Sequence, residues 1–170
     1  MTFTHHYNSP LGLITMASDG ENLTGLWFDG QKYFGSTLDS AQKPQELPVF
    51  AQTEQWLTIY FSGKEPGFAP PLSMKSTPFQ KAVWDILLTI PFGKTTTYKE
   101  IAQKVALQKK LPTMSAQAVG GAVGHNPISL IVPCHRVIGS NGNLTGYAGG
   151  IHKKEWLLLL EKADAKYSRS

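Results

Sequence analysis

Cys134 is the only cysteine among 170 residues, and His135 follows it directly. The pair belongs to Pro133-Cys134-His135-Arg136, after the apolar run Leu130-Ile131-Val132 and before Val137-Ile138. A lone thiol at the mouth of a strand-like stretch, between a proline that limits backbone freedom and an arginine that raises local positive potential, is a candidate stabilised thiolate. Free cysteine is also among the most buried residue types, so a structural core cysteine is the competing reading. A cysteine, a histidine and a distant carboxylate suggest a relay: the acid fixes the imidazole tautomer and the imidazole draws the proton from the thiol. Among the twelve Asp and Glu residues, Glu161 is the best candidate for the acid, because it lies on an apolar helical stretch where an unpaired charge is costly. A solvent-facing glutamate at a helix end is its alternative. Neighbouring residues on an extended strand point to opposite faces, so His135 reaches the Cys134 sulfur only if the chain turns there or through a bridging water.

At 41% hydrophobic the chain can bury a core in one large domain or two small ones. One cysteine excludes an internal disulfide framework, and no Cys-x-x-Cys pair seeds a zinc site; a reducing, cytoplasmic location is expected. The start, Met1-Thr2-Phe3-Thr4-His5-His6, has no basic and apolar leader pattern, and no run approaches the ~18 apolar residues of a membrane span. The protein is therefore expected to be soluble and unexported. The net charge of +4 is unevenly spread: residues 1–75 hold four Lys/Arg against seven Asp/Glu, and residues 76–170 hold twelve against five. A second half at +7 beside a first half at −3 suggests that the second half faces a polyanion, although solvated lysines on ordinary helix faces give the same count.

The elements that must position the cysteine are legible in outline. From Phe3 to Phe28 short apolar runs alternate with turn residues, which predicts a small antiparallel sheet with Asp19-Gly20 at a hairpin. Residues 48–62 carry apolar positions at helical spacing, stopping at Ser62-Gly63. The proline-dense stretch from Glu65 to Pro71 adjoins the change in charge, so Pro66 to Thr77 is read as a junction between domains 1–75 and 76–170. Thr77-Pro78-Phe79-Gln80 combines an N-cap, a first-turn proline and a capping-box glutamine, and predicts a helix through Ile90. Thr97-Tyr98-Lys99-Glu100 repeats the logic for a helix through Val105, and Ser115 caps a third helix, Ala116 to Val123, made of small residues. Helix, turn and small-residue helix resemble a helix-turn-helix. Gly120 and Gly121 serve either close approach to DNA or tight helix packing. Asn126 is either a simple turn residue before Pro127 or an amide that orders the loop ahead of Cys134. Val137-Ile138 and Leu144-Thr145 bracket an Asn-Gly turn and would form a wing. A largely buried helix from His152 to Glu161 follows, and Ala165 to Ser170 are expected to fray.

Pro133-Cys134-His135-Arg136-Val137, with Asn126-Pro127 before it and Gly146-Tyr147-Ala148-Gly149-Gly150 and Lys154-Glu155-Trp156-Leu157-Leu158 after it, closely resembles the O6-alkylguanine-DNA alkyltransferases. The resemblance covers nearly all of residues 77–162, and Ser9-Pro10-Leu11-Gly12 extends it to the N-terminal part. It implies an α+β fold: a small RNase H-like sheet with a helix as a structural domain, then a helical domain with a winged helix-turn-helix. It implies DNA repair by base flipping through the minor groove, with irreversible, single-use transfer of the alkyl group from O6-alkylguanine, and from O4-alkylthymine, to Cys134. His135 matches the water-linked base, Glu161 the acid that orients it, Asn126 the residue that steadies the loop, and Tyr98 a tyrosine that crowds the target phosphate. Ser115, Ala116, Gln117, Ala118 and Gly120, with Arg136, are the implied DNA contacts. Tyr147, Ala148, Gly149 and Val137 are the implied base pocket. The chain is expected to act as a monomer on double-stranded DNA, with no cofactor and no metal.

The pattern has departures. Gln117 stands where the family usually places an arginine that fills the gap left by the flipped base. Ala148 replaces a serine of some members, and the connector between Tyr98 and Gln117 is a few residues longer than in the human protein. Some relatives hold a zinc in the N-terminal domain through Cys and His; this chain has no cysteine there, and no such site is expected. The rival readings are a non-enzymatic DNA binder, either a winged-helix regulator or a damage sensor, the sensor being disfavoured because such relatives lack the cysteine, and a Cys-His hydrolase, which leaves the helix-turn-helix without a purpose.

Overall fold

The structure is a computed structural model that describes residues 1–144 and 146–163. It divides into two compact units, Met1–Lys75 with Pro127–Ile131, and Ser76–Asn126 with the chain from Val132 onward.

The first unit is a four-stranded sheet, in the order β3-β2-β1-β4, with one helix. Strands β1 (Thr2–Ser9), β2 (Gly12–Ser18) and β3 (Leu23–Phe28) form consecutive antiparallel pairs. Ser9 Oγ accepts from Leu11 N and donates to Gly12 O, closing the first hairpin. Asp19 Oδ1 accepts from Glu21 N and Asn22 N and closes the second. The sheet is mixed rather than purely antiparallel, because β4 (Gln42–Pro44) runs parallel to β1. Helix α1 (Pro48–Phe61) packs on β1 and β2. Its face of Val49, Phe50, Thr53, Trp56, Leu57 and Tyr60 is buried, and Ile14, Met16, Leu26 and Phe28 of the sheet are fully buried. Residues 127–131 belong here and not with the second half: Leu26 N donates to Pro127 O, Ser129 N donates to Leu26 O, and the Ser129 hydroxyl donates to Gln31.

The second unit is helical. Helix α2 (Pro78–Leu87) starts with the expected capping box, in which Thr77 Oγ1 accepts from Gln80 N while Gln80 Oε1 accepts from Thr77 N. Such a cap is worth about 1 kcal/mol. The helix stops at Leu87, three residues short of the Ile90 read from the pattern; two successive turns, Thr89 N to Ile86 O and Ile90 N to Leu87 O, replace its end. Strand β5 (Thr96–Thr97) precedes α3 (Tyr98–Gln108). Thr97 Oγ1 accepts from Glu100 N, but the Glu100 carboxylate takes its hydrogen bond from Thr96 Oγ1 instead of closing a box. Ser115 caps α4 (Ala116–Gly124) by accepting from Ala118 N. Helix α4 packs against α2 and α3, and Trp84 Nε1 donates to Ala122 O at 2.8 Å.

The apolar run before the cysteine is not a strand. Leu130 has φ 72°, and residues 129–131 form a turn. Burial explains the composition: an apolar run marks a buried segment, and periodicity alone does not say which kind. Cys134–Arg136 then form one turn of 3-10 helix leading into β6 (Val137–Ile138), which pairs in parallel with β5. The turn after it closes through Gly139 N to Asn143 O. Leu144 packs with Ile138 and Leu158. Helix α5 (Ile151–Leu160) is the last element described; it is less buried than its sequence suggests, with Leu159 exposed. The Thr145 end of the wing and the fraying of Ala165 to Ser170 fall outside the described residues. No helix among the described residues is long and apolar enough to cross a membrane.

Candidate active site

The 3-10 turn resolves the problem posed by adjacent Cys134 and His135. In this conformation successive side chains are separated by about a third of a turn instead of half, so the two need not face opposite sides. Pro133 enters the turn, Cys134 N donates to Val132 O, and Arg136 N donates to Pro133 O. Asn126 Nδ2 spans the preceding loop and donates to Val132 O at 2.8 Å. Its amide therefore organises the loop ahead of Cys134.

Cys134 is a free thiol, 4% exposed. Burial pushes its pKa up, while the Asn126 side chain and the positive charge of Lys154 pull it down. Burial is the largest of these influences and favours the protonated thiol, so attack requires a base to take the proton.

The candidate for that base, His135, is oriented by Glu161. His135, fully buried, donates from Nε2 to Glu161 Oε2 at 2.5 Å, which fixes the neutral tautomer with its lone pair on Nδ1. Burial lowers the His135 pKa against the opposing pull of Glu161. Glu161 is the C-cap of α5, where the helix dipole disfavours an anion. Burial pushes its carboxyl up, but His135 and Arg136 outweigh burial and hold it well below the carboxylate range.

Arg136 is a correction. It was expected on the DNA-facing surface, but it is 8% exposed. Its Nε donates to Glu161 Oε1 at 2.8 Å, Nη2 to Oε2 at 3.3 Å, and Nη1 to Ile90 O at 2.6 Å. A buried carboxylate is a stronger claim on a guanidinium than solvent is. Val137 follows it, buried and paired with Thr96.

Tyr98 opens α3, and Tyr147 lies in the glycine-rich loop. Their glycine neighbours explain the composition of that loop. A Cβ on Gly146, whose φ is 82°, would come within 2.9 Å of Tyr98 Oη, and one on Gly149 within 2.7 Å of the Tyr147 ring. Burial, then the nearby Cys134 charge, pushes the Tyr98 hydroxyl up to about 12. The same causes, with Glu161 added, push Tyr147 further. Both hydroxyls are neutral donors. The Tyr147 Oη is buried without a hydrogen-bond partner among the described residues, and the ring stands edge-on to His135 at 6.5 Å. Ala148 and Gly149 are half-buried beside it.

Outside the thiol site lies a cleft of about 500 Å³ that brings Tyr98, Ala116, Gln117, Gly120 and Gly146 together with Ser140 and Asn141. Ser115, Ala116, Gln117 and Ala118 are exposed. A Cβ on Gly121 would meet nothing within 4 Å, and one on Gly120 only the Tyr98 ring at 3.9 Å, so helix packing does not require either glycine.

Sequence reasoning missed Lys154. It is fully buried, with Nζ 5.7 Å from the Tyr98 ring centre. Burial lowers its pKa to about 8, and the Cys134 charge opposes that. The signal was present: Lys154, Leu157, Leu158 and Glu161 follow the i, i+3, i+4, i+7 spacing of one helix face, and all four are buried. Two charged residues on an apolar stripe mark a site beneath it. Among the described residues no three His, Cys, Asp or Glu side chains gather in a group that could hold a metal.

Residues 78–163 match the family model described as 6-O-methylguanine DNA methyltransferase, DNA binding domain, and residues 3–74 match the ribonuclease-like domain of the same family. The chain is 44% identical to a methylated-DNA–protein-cysteine methyltransferase of Mycobacterium tuberculosis, covering 94% of each, and 40% identical to that of Haemophilus influenzae, covering 92% of this chain and 84% of the relative. A crystal structure of the M. tuberculosis protein in complex with DNA superposes with a TM-score of 0.82 at 42% identity, over 96% of this chain and 95% of that one. The N-terminal sheet and the helical half with its cysteine are thus matched by one family's two domains, and the chain belongs to the 6-O-methylguanine DNA methyltransferase family.

Proposed function

We propose that this chain repairs O6-alkylguanine in double-stranded DNA by moving the alkyl group irreversibly to Sγ of Cys134, once per molecule, with O4-alkylthymine as a second substrate. The observation that carries the reading is a solitary buried thiol one residue from an imidazole that Glu161 holds in its neutral tautomer. In the reaction, the Cys134 proton passes to His135 Nδ1 through a bridging water. The thiolate attacks the alkyl carbon, the S–C bond forms as the C–O6 bond breaks, and guanine leaves with the electron pair. A thiolate is a soft nucleophile suited to displacement at carbon, and the neutral Tyr147 hydroxyl is a donor for the charge developing on the base.

DNA is bound by the second unit, Ser76–Asn126 with the chain from Val132 onward, through the minor groove; the first, Met1–Lys75 with Pro127–Ile131, serves structurally. The exposed small residues at the start of α4 and the open space around Gly121 support a close approach of this helix to the duplex. The acceptor works in its reduced state, which supports a cytoplasmic location. Incubation with a duplex carrying O6-methylguanine, followed by mass spectrometry, tests the function. A single methyl gain on Cys134 is expected. An unmodified protein that binds the lesion would leave only a damage binder.

Two further results follow from the site. Lys154→Met removes a positive charge that favours the thiolate, so transfer slows near neutral pH by about tenfold for each unit the thiol pKa rises, and alkaline buffer restores it. Single-turnover rates across pH check this, and equal slowing at every pH would contradict it. Gln117→Arg adds a cation at the exposed start of α4. DNA affinity rises several-fold, and the plot of log affinity against log salt steepens by about one. Unchanged affinity and transfer rate would show that Gln117 does not limit flipping or binding.

A further inference from the structure

The Glu161 carboxylate is shared. Oε2 accepts from His135 Nε2 and from Arg136 Nη2; Oε1 accepts from Arg136 Nε and, at 3.0 Å, from Gly93 N. Arg136 is itself held, by Ile90 O and by the Phe92 ring, whose centre lies 5.8 Å from its guanidinium carbon. A buried carboxylate whose only cationic candidate is an imidazole tends to protonate that imidazole, because an isolated buried charge is the costlier state. Here the carboxylate is already neutralised by a guanidinium that does not lose its proton. An imidazolium would then be a second cation against one anion.

We propose that Arg136 is a positioning residue for the proton relay: by sharing the Glu161 carboxylate it keeps His135 neutral and able to accept the Cys134 proton. The groups around His135 act in a consistent direction. Glu161 favours its protonation; burial, Arg136 and Lys154 oppose it. Cys134 precedes it in the 3-10 turn, and Tyr147, a neutral phenol, meets its ring edge-on. Without Arg136, the His135–Glu161 pair takes up a proton at higher pH, whichever partner carries it. The relay is then already filled when the thiol has to give up its proton.

The inference rests on the reading of Cys134 as acceptor and His135 as base, and the test separates the two. Single-turnover methyl transfer from an O6-methylguanine duplex is followed in the full chain from about pH 5 to 9, for the wild type, Arg136→Lys and Arg136→Gln. In Arg136→Gln the acidic limb of the profile moves up by about one unit or more, a tenfold loss on that limb. Arg136→Lys, which keeps the charge, returns the limb toward its wild-type position. Profiles that differ in height alone would overturn the proposal and leave Arg136 a purely structural counter-ion. Nitrogen NMR of ¹⁵N-histidine-labelled wild-type protein gives a second readout that needs no variant to fold: His135 is neutral, with its proton on Nε2, at neutral pH. An imidazolium there would also overturn the proposal. Failure of the wild type to gain a methyl on Cys134 would instead count against the proposed function, and the NMR result would still stand or fall by itself.

Discussion

Cys134→Ser transfers no methyl group and still binds DNA. Serine is nearly the size of cysteine, and the Asn126 side chain that hydrogen-bonds the thiol can partner a hydroxyl, so the turn from Cys134 to Arg136 keeps its form. The chemistry does not survive. A hydroxyl is a harder nucleophile with a far higher pKa, and neutral His135 is too weak a base to ionise it before attack. Loss of a nucleophile from a concerted constellation costs on the order of 10⁴-fold or more in rate, which for a single-use protein means no detectable transfer. Intact-mass measurement after incubation with methylated duplex, beside fluorescence anisotropy on the same DNA, reads both halves of the expectation. A methyl gain in the serine variant would move the acceptor to another residue. Loss of DNA binding would mean that the thiol also holds the binding surface in shape. In the wild type, the raised thiol pKa makes the transfer rate climb with pH until the thiol is ionised.

Local chemistry made much of the helical half readable. Thr77 with Gln80, Thr97 with Glu100 and Ser115 with Ala118 are signals contained within four residues, and each opens a helix. What stayed hidden was nonlocal. Pro127 to Ile131 bond to Leu26 and Gln31, about a hundred residues away in sequence, and no pattern inside Asn126–Val132 announces a partner that distant. The run Leu130-Ile131-Val132 therefore read as a strand when it is a buried turn. Arg136 was misplaced for a related reason. The resemblance counts it among the DNA contacts, whereas its hydrogen bonds go to Glu161, twenty-five residues on. The need was deducible: a glutamate ending an apolar helix and paired only with a neutral imidazole would be an uncompensated buried anion. Lys154 was deducible too, from the spacing that puts it on the stripe of Leu157, Leu158 and Glu161.

Glu161→Gln both destabilises the protein and slows transfer, and the two effects separate by pH. The substitution leaves Arg136 as a buried cation without its counter-ion, which costs about 3–5 kcal/mol near neutral pH. It also loosens the hold on the His135 tautomer, and loss of an oriented base slows the reaction by about 10²–10⁴-fold. The pH dependence follows from the direction of each shift. Glu161 titrates well below its ordinary value of 4.5 in the folded chain. Its stabilisation is therefore complete above 4.5, where the unfolded chain is also ionised, and is lost as pH falls from there toward the folded value. His135 titrates below its ordinary 6.5 in the folded chain. The unfolded chain takes up that proton first, so stability also declines as pH drops below 6.5. The glutamine variant keeps the histidine window and loses the carboxylate one. Denaturant unfolding at about pH 7 and about pH 3.5 should show the stability gap between wild type and variant narrowing at the lower pH. A gap of constant size would mean that Glu161 contributes packing and hydrogen bonds but no charge, and the electrostatic account of its pairing with Arg136 would fail with it.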